Sequence, residues 1–320
     1  MTDCIMSIII PCYNVKRFIK NTVTMFETQD IKDCEIIVVD DGSQDDTFVL
    51  AKKLEKEYGN ILVISKKNEG PSSARNEGLK YAKGRYVIFF DSDDKIEENT
   101  LRYYKRIFQQ HPECEIYVFG YQMSRNGKVI RKYVTRKHKE FVLSGCRVIE
   151  EIFYGRMYVH ICTCVFKKSF LERYNLLFAE GVAIGEDQDY IRKCLVKAQK
   201  VYYNARISFT YQLRPESQTE GNTYTLKTFQ SLGFTLKSIN YIREYVSVYA
   251  CNFFAASRYV NQIFNYLNSD LKSAEIESEL RNYQYLVYQK MHIGNLKWTS
   301  AVIFIRLIPL ELLFKVYHRG

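Results

Sequence analysis

The chain has 320 residues, 47% hydrophobic and 26% charged, so it can bury a full-sized core and is not a disordered segment. Lys and Arg number 46 against 36 Asp and Glu, and the net charge of +10 favours anionic partners such as phosphates, nucleic acid or acidic lipid. Five Pro and 15 Gly exclude collagen-like and linker-rich chains, and the length fits two domains or one large domain with an appendage.

Met1-Thr2-Asp3-Cys4 lacks the basic segment of a signal peptide, and the apolar run that follows is too short for one. The nine cysteines form no paired framework, and Cys162-Thr163-Cys164 lacks zinc-knuckle spacing. Reduced thiols in a cytoplasmic protein are expected. Short apolar runs at 7–10, 35–39, 61–64 and 86–90 read as strands buried on both faces. Helical patterns at 15–26, 47–58 and 72–81 alternate with them, the second with Leu50, Leu54 and Tyr58 on one face and Ser43-x-x-Asp46 as a candidate cap. This alternation predicts an α/β fold with right-handed crossovers and a mostly parallel, Rossmann-like sheet with helices on both faces.

Each strand runs into a polar cluster: Pro11-Cys12-Tyr13-Asn14, Asp40-Asp41-Gly42-Ser43, Lys66-Lys67-Asn68-Glu69-Gly70 and Asp91-Ser92-Asp93-Asp94. All four fall at strand C-terminal ends, the edge where open α/β sheets bind ligands. A Gly-rich dinucleotide fingerprint and a GxxxxGK[ST] loop are both missing, which disfavours dehydrogenases and P-loop ATPases. Side chains at i and i+2 of an extended segment share a direction, so Asp91 and Asp93 can face one cation. Carboxylate oxygens suit Mn(II) or Mg(II), ions that also hold phosphate. A solvated turn capping a helix near Asn99 is the plainer alternative, but the company of Asp40, Asp41 and Arg75 favours the metal. Pro71 opens a helix whose free N–H groups, with Arg75 one turn in, make a diphosphate seat; the alternative is a surface arginine.

Further along, 101–110 reads as a helix and 116–121 and 128–134 as strands. Arg125, Lys128, Arg131, Lys132, Arg136, Lys137 and Lys139, with His138, form a basic run without an acid, either a solvated hairpin or a flap for a phosphorylated lipid or anionic glycan. His160 sits in a strand-like stretch, 158–166, as a core histidine. Gly185-Glu186-Asp187-Gln188-Asp189 precedes a helix at 190–195, where acids favour the helix dipole. Helices are expected at 225–245, 248–267 and 275–291. The last segment, 298–317, is interrupted by Arg306, Pro309, Glu311 and Lys315, which suits a helix lying at a membrane interface or packed on the domain or a second subunit.

The motifs Ile8-Ile9-Ile10-Pro11-Cys12-Tyr13-Asn14, Val38-Val39-Asp40-Asp41-Gly42-Ser43, Asn68-Glu69-Gly70-Pro71-Ser72-Ser73-Ala74-Arg75-Asn76-Glu77-Gly78 and Phe90-Asp91-Ser92-Asp93-Asp94 resemble, in order and spacing, the family 2 glycosyltransferases of the GT-A fold. The resemblance continues through Glu186-Asp187 and Tyr211-Gln212-Leu213-Arg214-Pro215-Glu216-Ser217, and so covers roughly residues 5–220. It implies a nucleotide-sugar half at 1–100, an acceptor half at 101–220 and a separate helical region at 221–320.

By the resemblance, Pro11, Tyr13 and Asn14 line the base pocket of a nucleotide-sugar donor, with Asp40 accepting from uracil N3–H, hence a UDP-sugar. Asp41, Ser43, Asn68 and Ser92 belong to the same donor set, and Arg75 would contact ribose or diphosphate. Asp91 would reach the ribose or a water on the metal, and Asp93 would ligate Mn(II) or Mg(II), with Asp94 as a competing acid. Asp187, paired with Glu186, would be the general base. A positioned carboxylate that takes the proton of a sugar hydroxyl supplies ~10²–10⁴-fold. The implied enzyme is an inverting transferase of surface-polysaccharide synthesis (capsule, O-antigen or exopolysaccharide). Its acceptor would be a glycan or polyprenyl-diphosphate-linked chain at the inner membrane face, and a homodimer is compatible. Two alternatives stay open: a nucleotidyltransferase on the same metal site, which needs no base at Asp187, and a basic nucleic-acid-binding module. The acidic edge argues against the module, so no nucleic-acid partner is expected.

Overall fold

The computed structural model describes residues 4–135, 139–182, 184–213, 226–269, 271, 273–292 and 296–317. Arg136, Lys137 and His138 of the basic run, and 214–217 of the last motif, lie outside the described residues. The chain forms two compact units. One comprises Met1–Gly145, Tyr158–Val182 and Glu186–Arg214; the other comprises Cys146–Met157, Ala183–Gly185 and Pro215–Gly320.

The first unit is built on a ten-stranded sheet. Its parallel half comprises β1 (Met6–Cys12), β2 (Cys34–Asp40), β3 (Ile61–Ser65) and β4 (Tyr86–Phe89), in the order β3-β2-β1-β4. Ile8, Ile9, Ile10, Val38, Val39, Val87 and Phe89 are almost fully buried, the pattern of strands covered on both faces. The helices between these strands are α1 (Ile19–Glu27), α2 (Thr47–Glu57) and α3 (Pro71–Tyr81). The expected helix at 15–26 begins four residues late, because 15–18 forms a turn closed by Phe18 N–H donating to the Val15 carbonyl. The cap expected from Ser43 and Asp46 does not form: no side chain caps α2, and Asp45 instead accepts from the Thr47 N–H at 3.0 Å.

The sheet continues from β4 through β9 (Cys164–Lys167), β6 (Ile116–Arg125) and β10 (Val201–Leu213) to β5 (Lys95–Ile96). β9 runs antiparallel to both β4 and β6, whereas β6 and β10 are parallel. β7 (Lys128–Tyr133) adds to β6 as a hairpin, and β8 (Glu140–Leu143) pairs with β10. The architecture is thus α/β with a mixed, mostly parallel sheet. Helices α4 (Thr100–Gln110), α6 (Lys168–Arg173) and α7 (Glu186–Lys197) complete this unit. Gly78 sets the depth of α3: a Cβ there would lie 2.5 Å from Ile9 Cγ2, so only glycine allows this approach to β1.

The second unit is helical. It holds α8 (Leu226–Ile242), α9 (Val248–Leu267), α10 (Ala274–Asn282), α11 (Leu296–Leu307), α12 (Leu310–Tyr317) and most of α5 (Gly145–Phe153). Phe153 stacks on Phe254 at 4.2 Å, and the Tyr259 hydroxyl donates to the Leu280 carbonyl at 2.8 Å. The helix expected at 275–291 ends at Asn282 and passes into a 3-10 turn, Gln284–Tyr288. The terminal segment is two helices broken before Leu310, as Pro309 requires. Their buried positions include Val302, Ile305, Leu310 and Phe314, while Ile303, Phe304, Leu307 and Leu312 are exposed. Among the described residues, no helix is long and apolar enough to cross a membrane. All nine cysteines carry free thiols.

Candidate functional site

Parallel pairing of β1 with β2 and β4, and of β2 with β3, brings the four polar clusters to one edge of the sheet. The turn before β9 and the end of β10 reach the same edge, since β9 runs against β4 and β10 runs with β6.

Asp40 ends β2 and is 2% exposed. Its Oδ2 accepts from the Ser43 N–H at 3.4 Å and the Ser65 hydroxyl at 3.3 Å, while its Oδ1 is buried without a hydrogen-bond partner. A buried oxygen of this kind costs free energy unless a ligand donates to it. Asp41 is committed to the fold: it accepts from the Glu69 N–H at 3.1 Å, the Gly70 N–H at 2.7 Å and Lys66 Nζ at 3.0 Å, fixing the loop before α3. Gly42, at φ +71°, passes so close that a Cβ would lie 2.9 Å from the Asn68 N. Asn14 adopts φ 54°, donates its N–H to Ser43 Oγ at 3.0 Å and accepts from the Gln44 N–H at 2.8 Å, while Tyr13 beside it is 45% exposed. Pro11 pairs in register with Val39, and Asn68 is exposed.

Arg75 is a buried residue, not a surface one. Its Nη2 donates to Asp91 Oδ1 at 2.9 Å and its Nη1 to Glu186 Oε1 at 3.2 Å, with the guanidinium 5.2 Å from the Phe178 ring centroid. Asn76 pins that ring by a two-way bond with the Phe178 backbone, at 2.9 and 3.0 Å. Burial disfavours the Arg75 charge, but Asp91 and Glu186 outweigh it and hold the guanidinium more firmly protonated than usual. Burial likewise opposes the Asp91 charge, yet Arg75 keeps that carboxyl below its ordinary value. Glu186 moves the other way, raised by burial and by the neighbouring Asp187. Asp187 itself is half-buried in the first turn of α7 and accepts from the Gln188 N–H at 2.6 Å.

The Asp91–Asp94 string is a turn closed by the Asp94 N–H donating to the Asp91 carbonyl at 3.3 Å, so the extended i, i+2 geometry expected there does not occur. Nor does the string cap α4, whose first residue follows Asn99 without a side-chain cap. Candidate ligand atoms of Asp91, Asp94 and Cys162 lie within 4.8 Å of one another. Burial pushes the Cys162 thiol well up, and it donates to Asp91 Oδ2 at 3.5 Å, which leaves the two carboxylates as the oxygen donors of this cluster. Asp94 is 5% exposed and accepts from the Gln212 N–H at 2.9 Å, tying β10 to the turn. Asp93 is half-buried and Ser92 is buried. Three carboxylates within four residues, beside one arginine, fit a hard divalent ion.

His160 departs from the expectation of a core strand residue. It is half-buried before a 3-10 turn, Ile161–Thr163, and its Nδ1 accepts from the Cys162 N–H at 3.3 Å. Burial lowers its pKa, and the charges of Asp91 and Asp187 act on it in the opposite sense. Nothing in the periodicity around His160 distinguishes it; only the pairing of β9 with β4 brings it to this edge.

Residues 7–174, more than half of the chain, match the family model described as Glycosyl transferase family 2. The uncharacterized glycosyltransferase EpsJ of Bacillus subtilis (strain 168) is 29% identical over 220 residues, 68% of this chain and 63% of that protein. The GalNAc(5)-diNAcBac-PP-undecaprenol beta-1,3-glucosyltransferase of Campylobacter jejuni is 31% identical over 176 residues, 53% of this chain and 54% of that protein. The chain spans less than two thirds of the length of these relatives. Among solved structures, S. aureus TarS 1-349 in complex with UDP superposes with a TM-score of 0.70 at 18% identity, covering 99% of this chain and 92% of that one. The chain belongs to glycosyltransferase family 2 and has the GT-A fold with a helical C-terminal region.

Proposed function

We propose that this enzyme transfers a sugar, with inversion, from a UDP-linked donor to a hydroxyl of a glycan or lipid-linked acceptor in bacterial cell-surface polymer synthesis. The observation that carries the reading is the convergence of the unpartnered Asp40 Oδ1, buried Arg75 and the Glu186–Asp187 pair on one sheet edge. TarS, which shares the fold, is described in complex with UDP and with UDP-GlcNAc, and the Campylobacter relative is named for an undecaprenol-linked acceptor.

In this reading residues 1–100 hold the donor and 101–220 the acceptor. Asp40 Oδ1 accepts the N3–H of uracil, beside Pro11, Tyr13 and Asn14. Ser43 and Asn68 shape the loops around the base, and Asp41 holds the loop that starts α3. Arg75 exchanges part of its bonding to Asp91 and Glu186 for the arriving diphosphate, while Asp91 and Ser92 approach the ribose. Asp187 removes the acceptor hydroxyl proton as that oxygen attacks the anomeric carbon, and Glu186 keeps the arginine in line. Asp91 and Asp93 are the residues that would hold Mn(II) or Mg(II), which when bound supplies positive charge for the leaving diphosphate. Asp94, buried and committed to Gln212, supports the turn. An enzyme acting on a lipid-linked chain works at the inner face of the membrane, and the exposed apolar residues of α11 and α12 suit either that surface or a second copy.

The test is a thermal-shift panel of UDP, GDP, dTDP, ADP and NAD with and without Mn(II), followed by turnover of Asp187→Asn. A ligand at ~100 times its dissociation constant adds ~2.7 kcal/mol. UDP should stabilise the protein, more so with Mn(II), and Asp187→Asn should keep that shift while losing ~10²–10⁴ in kcat. An Asp187→Asn variant with undiminished turnover rejects the assigned base. No stabilisation by any nucleotide rejects the donor site.

A further inference from the structure

The basic run of β6 and β7 is joined to the reacting edge by a tract of aromatic rings. Among the described residues β7 pairs only with β6, and Tyr133 lies in register with Tyr121 across the hairpin. Their rings stack at 4.5 Å. Tyr121 is next 5.6 Å from the His160 ring, and His160 is 5.7 Å from Tyr211. All four residues are half-buried. Gln188, the residue after Asp187, donates its side-chain amide to the Val159 carbonyl at 3.3 Å, which brings the start of α7 beside the His160 end of the tract.

A fixed cation stands at the outer end. The Arg131 guanidinium lies 4.7 Å from the Tyr133 centroid and 5.9 Å from that of Tyr158, held between two rings. Lys132 follows it on an exposed strand, and the sequence from 125 to 139 contains no Asp or Glu. Among the described residues, no carboxylate pairs with Arg131 or Lys132. An uncompensated pair of cations on an accessible strand attracts an anion.

We propose that this tract is the acceptor track, and that it binds an anionic glycan: a chain of sugar or polyol units bearing phosphate or carboxylate groups. Arg131, which shares a strand face with Tyr133, holds the charged groups, Lys132 on the other face adds long-range attraction, and the rings of Tyr133, Tyr121 and Tyr211 stack on the units leading to Asp187. The proposal rests on the donor reading only for the direction of the track. A bilayer is the competing occupant, since Val129 and Ile130 are exposed beside these cations. A row of rings running inward from the strand suits a chain, which can follow it; a planar surface touches only its outer end.

The experiment uses the full chain and three probes: a phosphodiester-linked glycerol oligomer, a neutral dextran of similar length, and vesicles of phosphatidylglycerol with phosphatidylcholine. Binding is titrated for wild type, for R131E with K132E, and for Y133A, alongside the UDP thermal shift. The anionic oligomer should bind wild type at least tenfold more tightly than dextran, weaken with salt, and lose at least tenfold in the charge-reversed variant. Y133A should weaken oligomer binding, and both variants should keep the UDP shift. Equal binding of oligomer and dextran, or undiminished oligomer binding by the charge-reversed variant, overturns the proposal. So does binding to vesicles with none to the oligomer. Loss of the UDP shift in wild type rejects the donor reading, while the oligomer titration still decides the track.

Discussion

Arg75, one turn into α3, donates to Asp91 at 2.9 Å, joining the start of a helix to the end of β4. The same guanidinium reaches Glu186 at the start of α7, so three segments far apart in sequence are held by one cation. Asp91 and Glu186 then sit close enough for one diphosphate-sized group to contact the arginine between them.

Arg75→Leu removes that cation and leaves two partly buried carboxylates facing each other. Breaking a buried pair typically costs 3–5 kcal/mol. Asp91 is 29% exposed, so the lower end, ~3 kcal/mol, is expected. Chemical denaturation should show that loss, and UDP should no longer shift the melting temperature. Unchanged stability would mean that water replaces the arginine without cost.

The edge carrying the four polar clusters was legible because its signals are local: an apolar strand, a polar turn, and a helix opening with Pro71. Each of those is set by neighbours within about ten residues. The half of the sheet beyond β4 was less so. β9 enters antiparallel between β4 and β6, and β10 carries two register shifts between Asn204 and Phe209, neither of which leaves a periodic trace. His160 and Tyr121 reach the site edge through that strand order. The acidic turn was located by sequence but not its shape: Asp94 N–H closes it on the Asp91 carbonyl, and the Asp94 carboxylate is engaged by Gln212, 118 residues away.

Asp40→Asn tests the base contact. The amide can satisfy either the Ser43 and Ser65 donors or a ligand, but not with the charge that strengthens the bond. Hydrogen bonds to charged groups contribute ~1.5–3 kcal/mol against ~1 for neutral ones. UDP affinity should fall ~10-fold by calorimetric titration, with the unliganded melting temperature nearly unchanged. Equal UDP affinity in the variant would place the base elsewhere.

The neighbouring acids separate by readout. Asp93→Asn should abolish the extra stabilisation that Mn(II) gives with UDP. Asp94→Asn weakens a buried bond to the Gln212 N–H, so it should lower the free protein's stability by ~1–3 kcal/mol while preserving the Mn(II) increment. The reverse pattern would transfer the ligand role to Asp94, which the clustering with Asp91 and Cys162 also permits.

A pH-dependent contribution is expected on the opposite flank, at the edge strand β3. Glu55 of α2 accepts from the Val63 N–H at 2.7 Å and from Lys52 Nζ at 2.7 Å, and Lys52 also donates to the Val63 carbonyl at 3.0 Å. Burial opposes the Glu55 charge, but these donors prevail and hold its pKa below the usual value. With the folded value below the unfolded ~4.3, the unfolded chain binds more protons in acid. The stabilisation is therefore fully present above about pH 4.3 and is lost as pH falls through the folded value. Glu55 is 25% exposed, so the effect should stay under ~1 kcal/mol. Denaturation of wild type and Glu55→Gln at neutral and acid pH should give a stability gap that closes on acidification. A gap independent of pH would assign the contribution to the hydrogen-bond geometry and not to the charge.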